Sequence, residues 1–183
     1  RIGGAGSEFL NGITADNSGR VYITGAFTSS IISVPPFSIV NTMTNVTTQD
    51  VWLACFDGFG SPAWLKKYGN VNSESGEGII YSPAQNAIYL TGGFNSATML
   101  VGSTTLNNVG TAGSSYDMFL VKLSTTGSET WAIRTGGANS SDYGRKMGID
   151  ASNNYVFIGG TFSPPSALTP TTVIGTTTLT TQG

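Results

Sequence analysis

Short apolar runs recur along this chain at a fixed spacing, separated by stretches rich in Gly, Asn, Ser and Thr. Residues 21–27 (VYITGAF) return as residues 88–94 (IYLTGGF) and again as residues 156–162 (VFIGGTF). The closing phenylalanines of these runs are 67 and 68 residues apart. That period is too long for a solenoid coil and is typical of a repeat built from several β-strands.

A second set of runs keeps the same register. Residues 50–56 (DVWLACF) match residues 117–123 (DMFLVKL) at an offset of 67, and a Gly-x-x-x-Trp pair then follows in both units, ending at Trp64 and at Trp131. A further strand precedes each first run, and we align it as residues 12–14, 78–80 and 148–150. Each unit is therefore predicted to carry four short strands.

The links between the predicted strands have turn chemistry, as in residues 16–19 (DNSG), 83–86 (PAQN) and 152–154 (SNN). They predict antiparallel hairpins. The run at residues 50–56 is apolar on both of its alternating faces, so both faces must be covered. Stacking of successive four-stranded sheets would cover them, and in an open array the terminal faces, with Trp52, Phe56 and Phe119, would be exposed.

A segment rich in Thr and Ser lies between the second and third strand, at residues 28–49 and 95–116. Both segments have 22 residues, which favours an ordered structure. Residues 101–106 (VGSTTL) resemble residues 174–179 (IGTTTL), a pattern that predicts a small extra hairpin, with an irregular polar loop as the alternative. Long insertions on a rigid scaffold are common places for binding surfaces.

Together, residues 134–144 (RTGGANSSDYG), the 117–123 run and the pair Gly127 and Trp131 resemble the bacterial SBBP repeat, named for seven-bladed beta propellers. The first unit departs from the pattern, with Asn70 where a second Gly is expected. The resemblance implies a secreted or surface-attached propeller within a long multidomain protein. It implies no particular activity, because one fold serves many functions.

The predicted fold class is thus all-β, a β-propeller-type array of four-stranded antiparallel blades. The units are residues 1–66, residues 67–133 and a partial third at residues 134–183, all in one propeller domain. This is about 2.7 repeats of about 67 residues, whereas a closed ring needs about four to eight blades. We expect an incomplete ring from a longer chain, with missing strands supplied by that chain or by a neighbour.

Composition excludes some partners. Charged residues are only 10% of the chain, the net charge is −2, and basic residues form no cluster, so no nucleic-acid partner is predicted. No apolar run approaches the ~20 residues that span a bilayer, so no membrane span is expected. The single cysteine, Cys55, is interpreted as a buried filler rather than a reactive thiol.

No catalytic residue and no cofactor site is predicted, and the chain is interpreted as not an enzyme. It has no His, which excludes imidazole bases and His-based zinc sites. Carboxylates that recur once per unit are expected to serve the fold by accepting hydrogen bonds; these are Asp50, Asp117, Glu8 and Glu74. Three others do not recur cleanly, and nothing pairs them for glycosidase chemistry: Glu77, Glu129 and Asp142.

Residues 16–19 and 150–154 offer oxygen ligands for calcium, but neither has EF-hand spacing, so no metal site is predicted. The glycine-rich residues 3–6 and 136–138 lack the following helix that phosphate binding requires. Two Asn-x-Ser/Thr triplets, at Asn45 and Asn139, are candidate glycosylation sites in predicted loops.

The functional prediction is a non-catalytic structural or adhesion scaffold, extracellular or on the cell surface. Its partners would be protein or glycan surfaces met through the Thr- and Ser-rich insertions, with self-assembly as a further option. One alternative is a carbohydrate- or protein-binding accessory domain of a secreted hydrolase, with Phe37 and Tyr116 as tip aromatics. Another is an enzyme whose active site is built by blades outside this sequence.

Overall fold

A computed structural model describes residues 1–42, 47–138, 140–150, 155–163, 171–174 and 177–180. Within these residues all regular structure is β-strand, in antiparallel sheets of two to four strands, which confirms the all-β prediction. The described strands do not close into a barrel or a propeller ring. The same residues contain no helix able to cross a membrane.

The first unit forms a four-stranded sheet and an inserted hairpin. Its strands are β1 (Glu8–Ala15), β2 (Val21–Phe27), β3 (Ile31–Val34), β4 (Phe37–Val40), β5 (Asp50–Phe56) and β6 (Pro62–Tyr68). Sheet 1 has the order β1-β2-β5-β6. Strands β3 and β4 pair separately as a hairpin between β2 and β5, which we call inserted hairpin 1. The sequence pattern did not predict this hairpin.

The second unit repeats this plan. Its strands are β7 (Glu74–Ser82), β8 (Ala87–Phe94), β9 (Thr98–Val101), β10 (Thr104–Asn107), β11 (Asp117–Ser124) and β12 (Glu129–Thr135). Sheet 2 has the order β7-β8-β11-β12, and β9 with β10 forms inserted hairpin 2. The repeat boundaries at residues 66 and 133 fall inside β6 and β12, so each sheet ends two residues later.

The third unit begins with sheet 3, the pair β13 (Ser141–Asp150) and β14 (Tyr155–Ser163), followed by the pair β15 (Thr171–Ile174) and β16 (Thr177–Thr180). The extra hairpins predicted around residues 101–106 and 174–179 are therefore confirmed, and the irregular-loop alternative is wrong. The β-branched residues there fit paired strands.

A bulge in the first strand of each unit sets the register of the sheets. The bulged residues are Asn11, Glu77 and Arg145. Beyond the bulge, Ile13 pairs with Ile23, and Met147 takes the same place by pairing with Ile158. The alignment of residues 148–150 with residues 12–14 was therefore wrong, since Lys146 and Met147 occupy that position.

The sheets stack in chain order. Strand β7 lies against β1, β2 and β5, and β13 lies against β7, β8 and β11. We call the face that a sheet turns toward the next unit its forward face, and the opposite one its backward face. Tyr22 and Leu53 on the forward face of sheet 1 share one buried core with Leu90 and Phe119 on the backward face of sheet 2. Both faces of β5 are buried, as predicted.

Among the described residues, no sheet of a neighbouring unit packs on the backward face of sheet 1. Trp52 was nevertheless wrongly expected to be exposed, because inserted hairpin 1 folds over it and buries it against Ile32. Phe56 is only partly buried, while Leu10 and Ile13 on β1 are exposed. Hairpin 1 thus covers the outer part of this face and leaves its inner strand open.

The two tryptophans of the Gly-x-x-x-Trp pairs have equivalent surroundings. Trp64 lies 6.0 Å from the ring of Tyr22, and Trp131 lies 5.9 Å from the ring of Tyr89. The preceding Gly127 has a φ of 87°, a conformation that glycine adopts without strain. The repeat read from the sequence is thus a repeat of tertiary contacts.

Candidate binding surface on the inserted hairpins

Each inserted hairpin has an inward and an outward face because its strands alternate. Ile32 in hairpin 1 and Met99 in hairpin 2 are fully buried against the sheets. On the outward faces, Val40 and Leu100 are exposed, with Thr105 opposite Leu100. The insertions therefore display a mixed surface of hydroxyl and apolar side chains on ordered β-structure.

An asparagine and an aspartate fix the end of each insertion. In the first unit, the Asn41 side-chain amide donates to the Phe27 carbonyl at 2.8 Å. The backbone amide of Thr42 donates to Asp50 Oδ2 at 2.7 Å. Asp50 is fully buried, so its carboxylate holds the returning chain from inside the protein.

The second unit makes the same two bonds. Asn108 donates to the Phe94 carbonyl at 3.1 Å, and the Val109 amide donates to Asp117 Oδ2 at 2.9 Å. Burial raises the pKa of Asp117 to about 6, although the bond from Val109 and the charge of Arg134 act against the rise. The structural role predicted for Asp50 and Asp117 is thereby supported by their hydrogen bonds.

A cation from the last strand of the sheet neutralises each of these aspartates. Lys67 Nζ lies 2.8 Å from Asp50 Oδ2, and Arg134 Nη1 lies 3.4 Å from Asp117 Oδ2. The other oxygens, Oδ1, are buried without a hydrogen-bond partner. Each faces a glycine: a Cβ on Gly136 would lie 2.3 Å from Asp117 Oδ1, so these aspartates leave room only for glycine there.

A second recurring carboxylate stands at the start of each first strand. Glu8, Glu74 and Asp142 all lie opposite the phenylalanine that ends the second strand. Asp142 was expected not to recur cleanly, but the pairing places it in this set. Its Oδ2 accepts from the Gly137 amide at 3.0 Å, at the junction between sheets 2 and 3.

The equivalent Glu74 closes the junction between sheets 1 and 2. Its carboxylate accepts from the Asn70 amide at 2.9 Å and from the Ser96 amide at 3.1 Å. Burial raises the pKa of Glu74 to about 7 in spite of these bonds, and the nearby Asp50 adds to the rise. These carboxylates hold loops and linkers in place.

The remaining two carboxylates without a clear repeat join neighbouring sheets. Glu129 accepts from Lys66 Nζ and from the Tyr68 hydroxyl, both at 2.8 Å. Burial acts to raise the pKa of Glu129, but these two bonds, a backbone hydrogen bond and the charge of Lys66 together leave the pKa below its usual value. Glu77 lies 3.6 Å from Arg145 of sheet 3. Both act in ion pairs between sheets.

A groove of about 390 Å³ runs between inserted hairpin 2 and the outer strand β12. Its lining combines hydroxyl, amide and guanidinium groups with apolar side chains; it includes Thr104, Thr105, Asn107, Ile133 and Arg134. Such a mixture can bind a polar ligand through hydrogen bonds and an apolar face. This groove is a candidate ligand site on the insertions.

A second groove, of about 400 Å³, lies beside the turn at residues 16–19. Asp16 Oδ1 accepts from the amides of Ser18 and Arg20, and its Oδ2 accepts from the Tyr22 hydroxyl at 2.8 Å. The carboxylate that was considered for calcium therefore caps its own turn. Among the described residues, no three acidic or Cys side chains converge as a metal site would require.

Several residues that the sequence suggested as functional do not contribute to the candidate binding surface on the inserted hairpins. Asn45 and Asn139 lie outside the described residues, as do residues 151–154 of the second calcium candidate. Phe37 is half-buried in hairpin 1. Tyr116 stacks on Tyr143 of sheet 3 at 4.7 Å, so it is not a free tip aromatic. Cys55 is fully buried, and burial raises its pKa to about 11.

The tethering asparagines Asn41 and Asn108 were missed in the sequence, although their spacing of 67 residues was a visible signal. Comparison with known proteins does not assign the chain to a family. No family model matches the chain, and no curated protein matches it. The resemblance to the SBBP repeat therefore stays a prediction.

Proposed function

We propose that this chain is a non-catalytic scaffold of propeller-type repeats, extracellular or on a cell surface, that contacts partners through its inserted hairpins. One observation carries the proposal: two units hold their insertions with the same asparagine bond and the same buried aspartate. Ordering a loop costs conformational entropy, and a segment that only links two strands does not need to be ordered. Bonds that hold the insertions in one conformation are therefore expected where the insertions present a constant surface to a partner.

The stacking of the sheets supports the propeller-type arrangement. The backbones of β1, β7 and β13 lie close together, whereas the outer strands β6 and β12 meet through long side chains such as Lys66 and Glu129, so the sheets spread away from their first strands. A propeller has this fan shape, with first strands near a common axis. A crystal structure showing sheets stacked in parallel, with no common axis, would overturn this arrangement.

Hydrogen exchange tests the constant display of the insertions. We expect slow exchange of the amides around Asn108 and Val109, because both are hydrogen-bonded. Asp117→Asn should speed exchange in residues 95–116 and leave residues 28–49 unchanged. Asp57→Asn, which removes a turn-capping carboxylate, is the matched control. Unprotected exchange in both wild-type insertions would contradict the proposal.

The groove beside hairpin 2 favours a second function, carbohydrate binding by an accessory domain. Its hydroxyl, amide and guanidinium groups suit the hydroxyl groups of a sugar. A glycan array with the wild type and with Thr105→Arg separates the two functions. Binding that Thr105→Arg abolishes, and that Thr126→Arg on a remote turn retains, would establish the lectin-like function.

A further inference from the structure

We infer that copies of this chain associate head to tail, with the forward face of sheet 3 of one copy on the backward face of sheet 1 of the next. This interface would repeat the sheet–sheet contact already present twice within the chain. The inference does not depend on what the inserted hairpins bind, since the two free faces lie on other surfaces.

The two internal interfaces use the same contacts. A Cβ on Gly12 would lie 3.1 Å from Ile79, and a Cβ on Gly78 would lie 3.1 Å from Met147. These pairs hold equivalent positions, because Ile79 and Met147 both follow the bulge. The backward face of one unit thus places an apolar side chain over a small residue of the unit before it.

A second contact also recurs at both interfaces. A Cβ on Gly76 would lie 2.4 Å from Thr24 Oγ1, and a Cβ on Gly144 would lie 2.0 Å from Thr91 Oγ1. At both interfaces a glycine of the backward face therefore fits closely over a threonine of the forward face. These two contacts define the pattern that a further interface would follow.

The two free faces expose the residues that the internal interfaces bury. On sheet 1, Ile13 is 65% exposed, whereas its equivalent Ile79 is 7% exposed. On sheet 3, Phe157 is 59% exposed, whereas its equivalents Tyr22 and Tyr89 are 0% and 4% exposed. Tyr155, beside Phe157 on the same face, is also exposed. Apolar side chains in such positions indicate a missing partner.

Side-chain size on the free faces indicates that the partner is a second copy. Leu10 stands where the internal interfaces have glycine, at Gly76 and Gly144. Gly159 stands where they have threonine, and the nearest atom to a Cβ on Gly159 would be the Lys146 carbonyl oxygen at 4.0 Å. Sheet 1 has thus gained volume at the position where sheet 3 has lost it. An interface between these two faces would make that exchange complementary.

One position departs from the pattern. Lys146 takes the place of Gly12 and Gly78, so it would lie beneath Ile13 of the next copy. A lysine can lay its apolar stem along such a contact and keep its ammonium group in water. We therefore expect Lys146→Gly to tighten the association rather than abolish it.

A head-to-tail contact joins two different surfaces, so assembly either closes into a ring or continues as an open array. Two copies would supply six sheets, which lies within the range of about four to eight blades in closed propellers. Sedimentation equilibrium of the whole chain, at concentrations up to about 1 mM, should show the mass rising above that of the monomer to a dimer or a larger assembly. A chain that stays monomeric throughout overturns the inference.

Two variants and their mixture give the sharpest test. Ile13→Lys blocks the sheet 1 face, and Phe157→Lys blocks the sheet 3 face. Each variant alone should be monomeric, but an equimolar mixture should form a dimer and nothing larger, because one intact face of each kind remains. Leu100→Lys, at an exposed position on hairpin 2, should assemble like the wild type. Association of either blocked variant alone contradicts the inference.

The size exchange provides a second test with uncharged variants. Gly159→Thr should weaken the association about tenfold or more by overpacking against Leu10. Combining it with Leu10→Gly should restore association, because the pair then matches the internal interfaces. Circular dichroism checks that each variant is folded. Additive losses in the double variant would show that these positions do not meet.

Discussion

Replacing Glu74 tests how the junction between sheets 1 and 2 is stabilised. Glu74 is fully buried, and burial raises its pKa from 4.5 to about 7, with a contribution from Asp50. The folded chain therefore retains a proton at a pH where the unfolded chain has lost it. Its folded state prefers the neutral carboxyl group.

The sign of the pH dependence follows from this preference. The stabilisation is fully present below the unfolded pKa of 4.5 and is lost as the pH rises through about 7. At about 1.4 kcal/mol for each pKa unit, Glu74 lowers the free energy of unfolding by up to about 3 kcal/mol between pH 4.5 and pH 8. Asp117, whose pKa is raised to about 6, acts in the same direction.

Urea unfolding followed by tryptophan fluorescence at pH 4.5 and pH 8 measures this loss. Glu74→Gln cannot ionise, so its stability should fall less with pH than that of the wild type, by about 3 kcal/mol. Glu77→Gln removes a carboxylate from the same strand, at the surface ion pair with Arg145, and serves as the control. An unchanged pH dependence in Glu74→Gln would refute the reasoning.

Three further predictions concern packing. Gly136→Ala should destabilise the fold by about 1–3 kcal/mol in thermal unfolding, because the new Cβ would lie 2.3 Å from Asp117 Oδ1. The control Gly148→Ala should have little effect, because a Cβ on Gly148 would have open space around it. Trp52→Ala should lower the free energy of unfolding in urea by about 3–5 kcal/mol, since Trp52 is buried even on the free face of sheet 1. A loss of about 0.5 kcal/mol or less, as for an exposed residue, would contradict its burial. Cys55 should resist a thiol reagent in the native protein and react once unfolded, and rapid native labelling would disprove its burial.

Much of the fold could be predicted from the sequence because its signals are local and repeated. The 67-residue spacing located the strands of the four-stranded sheets. The tryptophans of the two Gly-x-x-x-Trp pairs make equivalent ring contacts, as their equal spacing implied. The carboxylates that recur once per unit were interpreted as structural, and Asp50 and Asp117 do hold the insertions. A local pattern that is weak in one unit becomes a reliable signal when it recurs in the next unit.

Other features of the candidate surface depended on residues far apart in the chain. The stacking of Tyr116 on Tyr143 removes a predicted tip aromatic, and it joins two units. The burial of Trp52 depends on how inserted hairpin 1 folds back over sheet 1. Neither contact produces a periodic pattern of residues in the sequence. The pattern within a single strand therefore could not predict either contact.

The sequence by itself determined the class of structure, the length of the repeat and the absence of imidazole chemistry, because composition and strand periodicity are properties of the chain alone. Only the tertiary structure decided the register of the third unit, where the bulge at Arg145 makes Met147 rather than Ile149 the equivalent of Ile13 and Ile79. A bulge shifts every following side chain to the other face, and its position is fixed by the fit to the neighbouring sheet. The same fit decides which apolar faces are covered and which are left for a partner.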